Sequence, residues 1–265
     1  MVTRFRTPAE IRDHDSGLPV RTLWLVPGLY RDEGVVLRTI KLGEADRIVT
    51  IFMLGHGKVR AVAKGIRKTT SKFGARLEPT SRVAVQCYRG RDLDVVTQAE
   101  TIDANRALRE QYGLLTHAIP MLEAVDQVAQ EREPNPALYR MLTGALHTLA
   151  DRRAPLVTPA FFWKLLSLEG FHPMLDGCAR CAADDAGALV AFDLDEGGLL
   201  CRACARGAGR PITDDALGLL RLILHGGLNA ALAQPAGAAS HEVEQLGIRA
   251  LEHHVERRLR STALL

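Results

Sequence analysis

The apolar residues of this chain change period once, and that change limits the fold more than any other feature. Between Glu33 and Glu100 they fall in short runs rich in Val, Ile and Thr, "EGVVLRTI", "RIVTIFML", "KVRAVAK", "SRVAVQCY" and "LDVVTQAE", with alternation plain in "KVRAVAK" and "SRVAVQCY". From Asp103 onward they recur at steps of three and four, as in Leu114, Leu115, Ile119, Leu122, Val125 and Val128. A period of two belongs to strands and a period of 3.6 to helices. The chain therefore reads as α+β, with a sheet first and helices after it. Five short strands bounded by Gly or Asp, within about 70 residues, suit a small closed sheet, and the five-stranded OB-type β-barrel is the expected form.

Alternation also assigns the faces of that barrel. In "KVRAVAK", Lys58, Arg60 and Lys64 share one parity, and Val59, Ala61 and Ala63 share the other. In "RVAVQCY", Val83, Val85 and Cys87 point one way while Arg82, Gln86 and Tyr88 point the other. Charges are thus expected outside and apolar side chains inside.

In the helical part, Pro136 lies near a helix start. "TPAFFWKLLSLEG" offers Thr158 as an N-cap, Pro159 in the first turn and Gly170 as the stop. "TDDALGLLRLILHGG" is a further helix, and a last one carries Ile248, Leu251, Val255 and Leu259 on one stripe. Residues 1–28 show no periodicity and read as a loose extension. The expected organisation is an extension at 1–28, an OB-fold DNA-binding domain at 29–102 and an α-helical domain at 103–265. A zinc-binding insertion is expected at about 172–208, inside the helical domain. No stretch approaches the roughly 20 apolar residues of a membrane helix, and "LWLV" is too short for a signal-peptide core. A cytoplasmic protein, without a membrane partner, is expected.

Charge is distributed unevenly. From Lys58 to Arg91 there are ten Lys or Arg against Glu78 alone, nine net positive charges. The whole chain carries a formal net charge of +3, so the remainder sums to −6. A local excess of that size fits an anionic partner. The loop "GIRKTTSKFGAR" contributes Arg67, Lys68, Lys72 and Arg76, with Phe73 among them. A basic groove on a barrel gains affinity for nucleic acid by releasing phosphate counterions. The candidate phosphate-binding set is Lys58, Arg60, Lys64, Arg67, Lys68, Lys72 and Arg76, extended by Arg82, Arg89 and Arg91. Phe73 and Tyr88 are candidates for stacking on bases, or else are core.

Cys178, Cys181, Cys201 and Cys204 form C-x2-C, nineteen residues, C-x2-C. This spacing is that of a four-thiolate site for one structural zinc ion. Between the pairs, "ALVAFDL", "DEGG" and "LLC" read as a hairpin. Ala182 and Ala205 follow the second cysteines, where zinc knuckles often have Gly. Cys87, the fifth cysteine, has inward parity and is assigned to the core.

The stretches "LYRDEGVVLRTIKLGEADRIVTIF", "GKVRAVAKGIRKTTSKFGARLEP" and "YRGRDLDVVTQAET" resemble the RecO family of bacterial recombination mediators, in its actinobacterial form. The resemblance covers about residues 29–265 and is tightest in the first third; residues 1–28 have no counterpart. The cysteine quartet is similar to that of the zinc-bearing members, and some relatives lack it. The resemblance implies DNA repair, with binding to single- and double-stranded DNA and annealing of complementary strands without ATP. It also implies partnership with RecR and with the C-terminal tail of the single-stranded DNA-binding protein, and through them loading of RecA. It implies no catalytic activity, and the chain contains no G-x-x-x-x-G-K-[ST] loop.

Two other classes remain open on the residues alone. A zinc-dependent nucleic-acid enzyme needs an open metal position, which four Cys ligands deny it. "LEHHVERR" places His253 and His254 beside Glu252 and Glu256 but is not H-E-x-x-H, and reads as a solvated helix surface. A zinc-ribbon transcription factor would prefer one duplex sequence.

Overall fold

The computed structural model describes residues 28–69, 71, 73–183 and 189–265. The expected extension therefore lies, but for Gly28, outside the described residues. Five strands form the first unit: β1 (Leu29–Leu42), β2 (Asp46–Met53), β3 (Gly57–Ala63), β4 (Arg82–Tyr88) and β5 (Asp94–Asp103). They close into a barrel in the order β1-β2-β3-β5-β4. Every neighbour is antiparallel except β3 and β5, which pair in parallel through Ala61 and Val62. The interior is filled by the inward parity of each strand, including Val36, Ile51, Val59, Ala61, Val83, Val85 and Cys87.

Helices follow: α1 (Arg106–Glu110), α2 (Tyr112–Val128), α3 (Pro136–Arg152) and α4 (Val157–Leu168). A small sheet interrupts them, with β6 (Leu189–Asp193), β7 (Gly198–Cys201) and β8 (Arg210–Pro211) in the order β7-β6-β8. The chain ends with α5 (Asp214–Leu224), α6 (Leu228–Leu232) and α7 (Ala238–His254). The helices share one large core, and Val35, Leu37 and Phe52 reach it from the barrel's outer face. Barrel and helices are therefore packed together by apolar contact.

A second seam joins them by hydrogen bonds. The segment after α2 runs beside the start of β3, where the Arg132 N–H donates to the Lys58 carbonyl at 3.0 Å. The crossing is so close that a Cβ on Gly57 would lie 2.1 Å from the Glu133 carbonyl oxygen, and Gly57 has φ +66. Only glycine meets both conditions. Arg132 then reaches Asp94, which is wholly buried.

Two helix termini differ from expectation. Thr158 lies inside α4 rather than capping it, and its hydroxyl donates to the His117 carbonyl at 2.9 Å, stitching α4 to α2. The last helix ends at His254, so Val255 and Leu259, expected on its stripe, lie beyond the helix. Leu259 is nevertheless buried, because its N–H is held by the Glu252 carboxylate and the following residues by Glu123. "LEHHVERR" is thus a helix end engaged in contacts: His254 packs on Phe171 with ring centroids 3.9 Å apart.

Candidate nucleic-acid interface and metal site

The loop from β3 to β4 is built as a plug. Ile66, Phe73 and Leu77 drop into the barrel interior, and Phe73 is 1% exposed. That burial removes Phe73 as a stacking residue. Inserting three apolar side chains costs the loop its freedom, and the cations between them are turned outward as a result. Lys64, Arg67, Lys68 and Arg76 are all exposed. The turn from β1 to β2 braces this loop: the Arg67 N–H donates to Ala45 O at 3.0 Å and the Gly65 N–H to Asp46 Oδ1 at 2.7 Å. Arg47 pairs with Glu78 at 2.9 Å, engaging the acid of the basic stretch away from the exposed cations.

The ten candidate cations do not behave alike. Lys58 is mostly buried and faces Asp126 of α2 at 3.7 Å, the carboxylate that also takes Arg38 at 2.6 Å. Arg82 binds both oxygens of Glu33 at 3.0 Å and donates to the Tyr139 hydroxyl at 3.2 Å. Arg91 lies 3.4 Å from Asp92. Arg60, Lys64, Arg67, Lys68 and Arg89 are exposed and have no carboxylate partner among the described residues. Lys72 lies outside the described residues.

Position separates them further. Lys64, Arg67, Lys68, Arg76 and Arg82 belong to the barrel end where β3 stops and β4 starts. Lys58, Arg89 and Arg91 belong to the opposite end, about 20 Å away along a strand of this length. Tyr88 is also at that far end, exposed on the outside of β4. The structure adds two cations that sequence reasoning passed over. Arg109 donates to Ala75 O at 3.4 Å and to Ser81 Oγ at 3.2 Å, which places α1, with exposed Arg106, against the basic loop. Nothing in "ANRALRE" signals this, since only the path of the chain brings the two together.

At the other end Asp94 is held by Arg132 through both oxygens, by the Tyr30 hydroxyl and by the Gly90 N–H at 3.0 Å. Burial alone would push this carboxyl up. The Arg132 guanidinium, with the Tyr30 and Gly90 donors, outweighs burial and holds it below the usual carboxylate range. Cys87, inside the barrel, is pushed up to about 12 by burial and by the nearby Asp94 charge.

The four remaining cysteines converge. All their sulfurs lie within 4.8 Å of one another, and Cys181 and Cys201 are 3.8 Å apart. Metal–sulfur bonds of about 2.3 Å in a tetrahedron put sulfurs about 3.8 Å apart, so the quartet fits an ion with slight contraction. The Cys201 N–H lowers the Cys178 thiol to about 6, while the neighbouring Cys181 thiol pushes Cys204 up to about 12. Crowding four acidic thiols together couples their titrations in this way. Each knuckle is closed by a backbone bond, Ala182 N to Cys178 O and Ala205 N to Cys201 O, both at 2.8 Å. Ala182 adopts φ 58, the left-handed conformation for which glycine is usual. Arg180 fastens the two halves, donating to Glu196 at 2.9 Å and to Cys204 O at 3.0 Å.

Comparison with protein families decides the class. A family model described as the N-terminal part of recombination protein O matches residues 28–105, and one described as its C-terminal part matches residues 109–263. The chain belongs to the RecO family. Its role is accordingly that of a mediator in DNA repair and recombination. The RecO N-terminal match contains the closed barrel and its basic loop, and the C-terminal match contains the helices and the cysteine quartet. Among the described residues no helix is long and apolar enough to cross a membrane.

Proposed function

We propose that this chain binds single- and double-stranded DNA through the basic barrel end and anneals complementary strands without ATP. Acting with RecR, and recognising the C-terminal tail of the single-stranded DNA-binding protein, it helps RecA load on coated strands. It works in the cytoplasm, at the nucleoid during repair. The observation that carries this reading is the plugged loop, which fixes Lys64, Arg67, Lys68 and Arg76 outward on one rim. Arg106 and Arg109 of α1 extend that rim.

The role of such a rim follows from electrostatics. Two DNA strands repel each other through their phosphates. Holding both on a fixed positive surface lowers that repulsion, and base pairing then drives annealing. The chain's own part is to bind, neutralise and release; no bond is made or broken. The quartet Cys178, Cys181, Cys201 and Cys204 holds one zinc ion as a structural staple. Four thiolates fill its tetrahedron and leave no position for a catalytic water, which fits a protein that is not an enzyme.

The test is to incubate the full chain with two labelled complementary strands, bare or coated with single-stranded DNA-binding protein, without ATP. Duplex formation with full recovery of both strands is expected. Strand cleavage or base conversion would instead place the chain among zinc-dependent enzymes.

A further inference from the structure

Between the barrel and α3 lies a cleft of about 290 Å³. Its walls are Val35 and Arg82 from the barrel, Asp103 at the end of β5, and Arg140, Gly144 and His147 from α3. Arg82 and Asp103 are register partners at the barrel end that carries the basic loop, so the cleft lies at that end. Arg109 marks the link, since it bonds to Ala75 in the loop and to Ser81, the residue before Arg82.

Gly144 is the unusual feature. It sits in the middle of a seventeen-residue helix, where glycine is among the least favourable residues. No close packing explains it, for a Cβ placed there meets nothing within 4 Å. Its φ is not positive, so no turn requires it either. Gly144 lines the cleft, so a side chain longer than alanine's at this position would fill it. Arg140 and His147 flank it on the same helix face, and neither side chain has a hydrogen bond or ion pair among the described residues. The floor is apolar, and the polar groups are of both kinds: Arg140 can donate, Asp103 accepts the Asn105 N–H on one oxygen and keeps the other for a ligand, and Arg82 is already held by Glu33 and Tyr139. A bare phosphate would be opposed by Asp103. The edge of a nucleobase, which carries both donors and acceptors on an apolar ring, suits this lining. The volume is at the lower end for small-ligand pockets, the scale of one base with its sugar.

We propose that this cleft receives one unpaired base of a strand whose phosphates lie on the basic loop. This rests on the DNA-binding reading above and makes it more specific. A paired base cannot enter without losing its partner, so the cleft separates single strands from duplex. A base held there is also unstacked, and is released when a complementary strand competes for it.

The test places 2-aminopurine, an adenine analogue that brightens when it leaves the stack, within an adenine-rich single strand. The full chain is then compared with Gly144→Phe, which fills the cleft, and Gly144→Ala, which leaves it open and favours the helix. Binding of the wild type and of Gly144→Ala is expected to brighten the probe. Gly144→Phe is expected to bind without brightening, with its preference for single strand over duplex reduced about tenfold and its melting temperature no lower than wild type. Brightening and preference unchanged in Gly144→Phe would overturn the proposal, as would wild-type binding with a dark probe. So would a Gly144→Phe variant whose DNA signals are intact but whose binding of an acidic peptide is lost, because the cleft would then be a peptide site. Absence of any DNA binding by the wild type would instead sink the parent reading, an outcome distinct from the other three.

Discussion

At the scale of single residues, burial decides which charged or aromatic side chains are available for a ligand. Phe73 lies among cations in the sequence, which invites a stacking role; the barrel interior takes it instead, because the loop needs an anchor. Parity along a strand was readable in advance: Val59, Ala61 and Cys87 are buried and Arg60 is exposed. The partners of Lys58 and Arg82 were not, since Asp126 is 68 residues from Lys58 and Tyr139 is 57 from Arg82. Asp94 supplies a prediction at this scale. Its carboxyl is depressed, so its stabilising contribution is present above the ordinary carboxylate range and is lost as pH falls through its lowered folded value. Arg132→Ala leaves that buried carboxylate without its countercharge. The variant should lose about 3 kcal/mol at pH 7, the lower end for a broken buried pair because Arg132 is itself a third exposed. In urea titrations the gap from wild type should narrow as pH drops below about 4. A constant gap would mean that the pair does not couple Asp94 to folding.

At the scale of elements, strands were more legible than helix ends. A strand declares itself by a short run of β-branched and apolar residues within its own length, and all five barrel strands follow the expected runs, although β1 and β2 bury both faces where helices pack on them. A helix end depends on what the next segment touches. Thr158 has the chemistry of a cap, yet its hydroxyl is drawn to α2, and α7 stops early because Glu252 accepts the N–H of Leu259. The cysteine element was legible as a spacing, and its geometry explains why removing metal should act locally. Cys178 and Cys201 belong to the large helical core, whereas the barrel interior is a separate cluster. Stripping the ion with a chelator should lower the melting temperature by on the order of 10 °C. Affinity for single-stranded DNA, measured below that transition, should change by less than about threefold. A large loss of DNA binding would show that the element contributes to the interface itself.

At the scale of the whole molecule, the split of charge between the two parts of the sequence becomes a rim at one barrel end. The sequence shows that the cations are close in the chain but not that they divide between two ends. It also cannot show that Arg106 and Arg109 rejoin the loop, because that proximity is made by the closed barrel and the path of α1. The account rests on that rim gripping phosphate. The most direct measurement is the salt dependence of single-strand binding by the wild type and by a variant carrying Lys64→Glu, Arg67→Glu and Lys68→Glu. If all three contact phosphate, the slope of log affinity against log salt should become shallower by about 2, with weakening across all DNA sequences alike. An unchanged slope would mean that the strand lies elsewhere and would contradict the account.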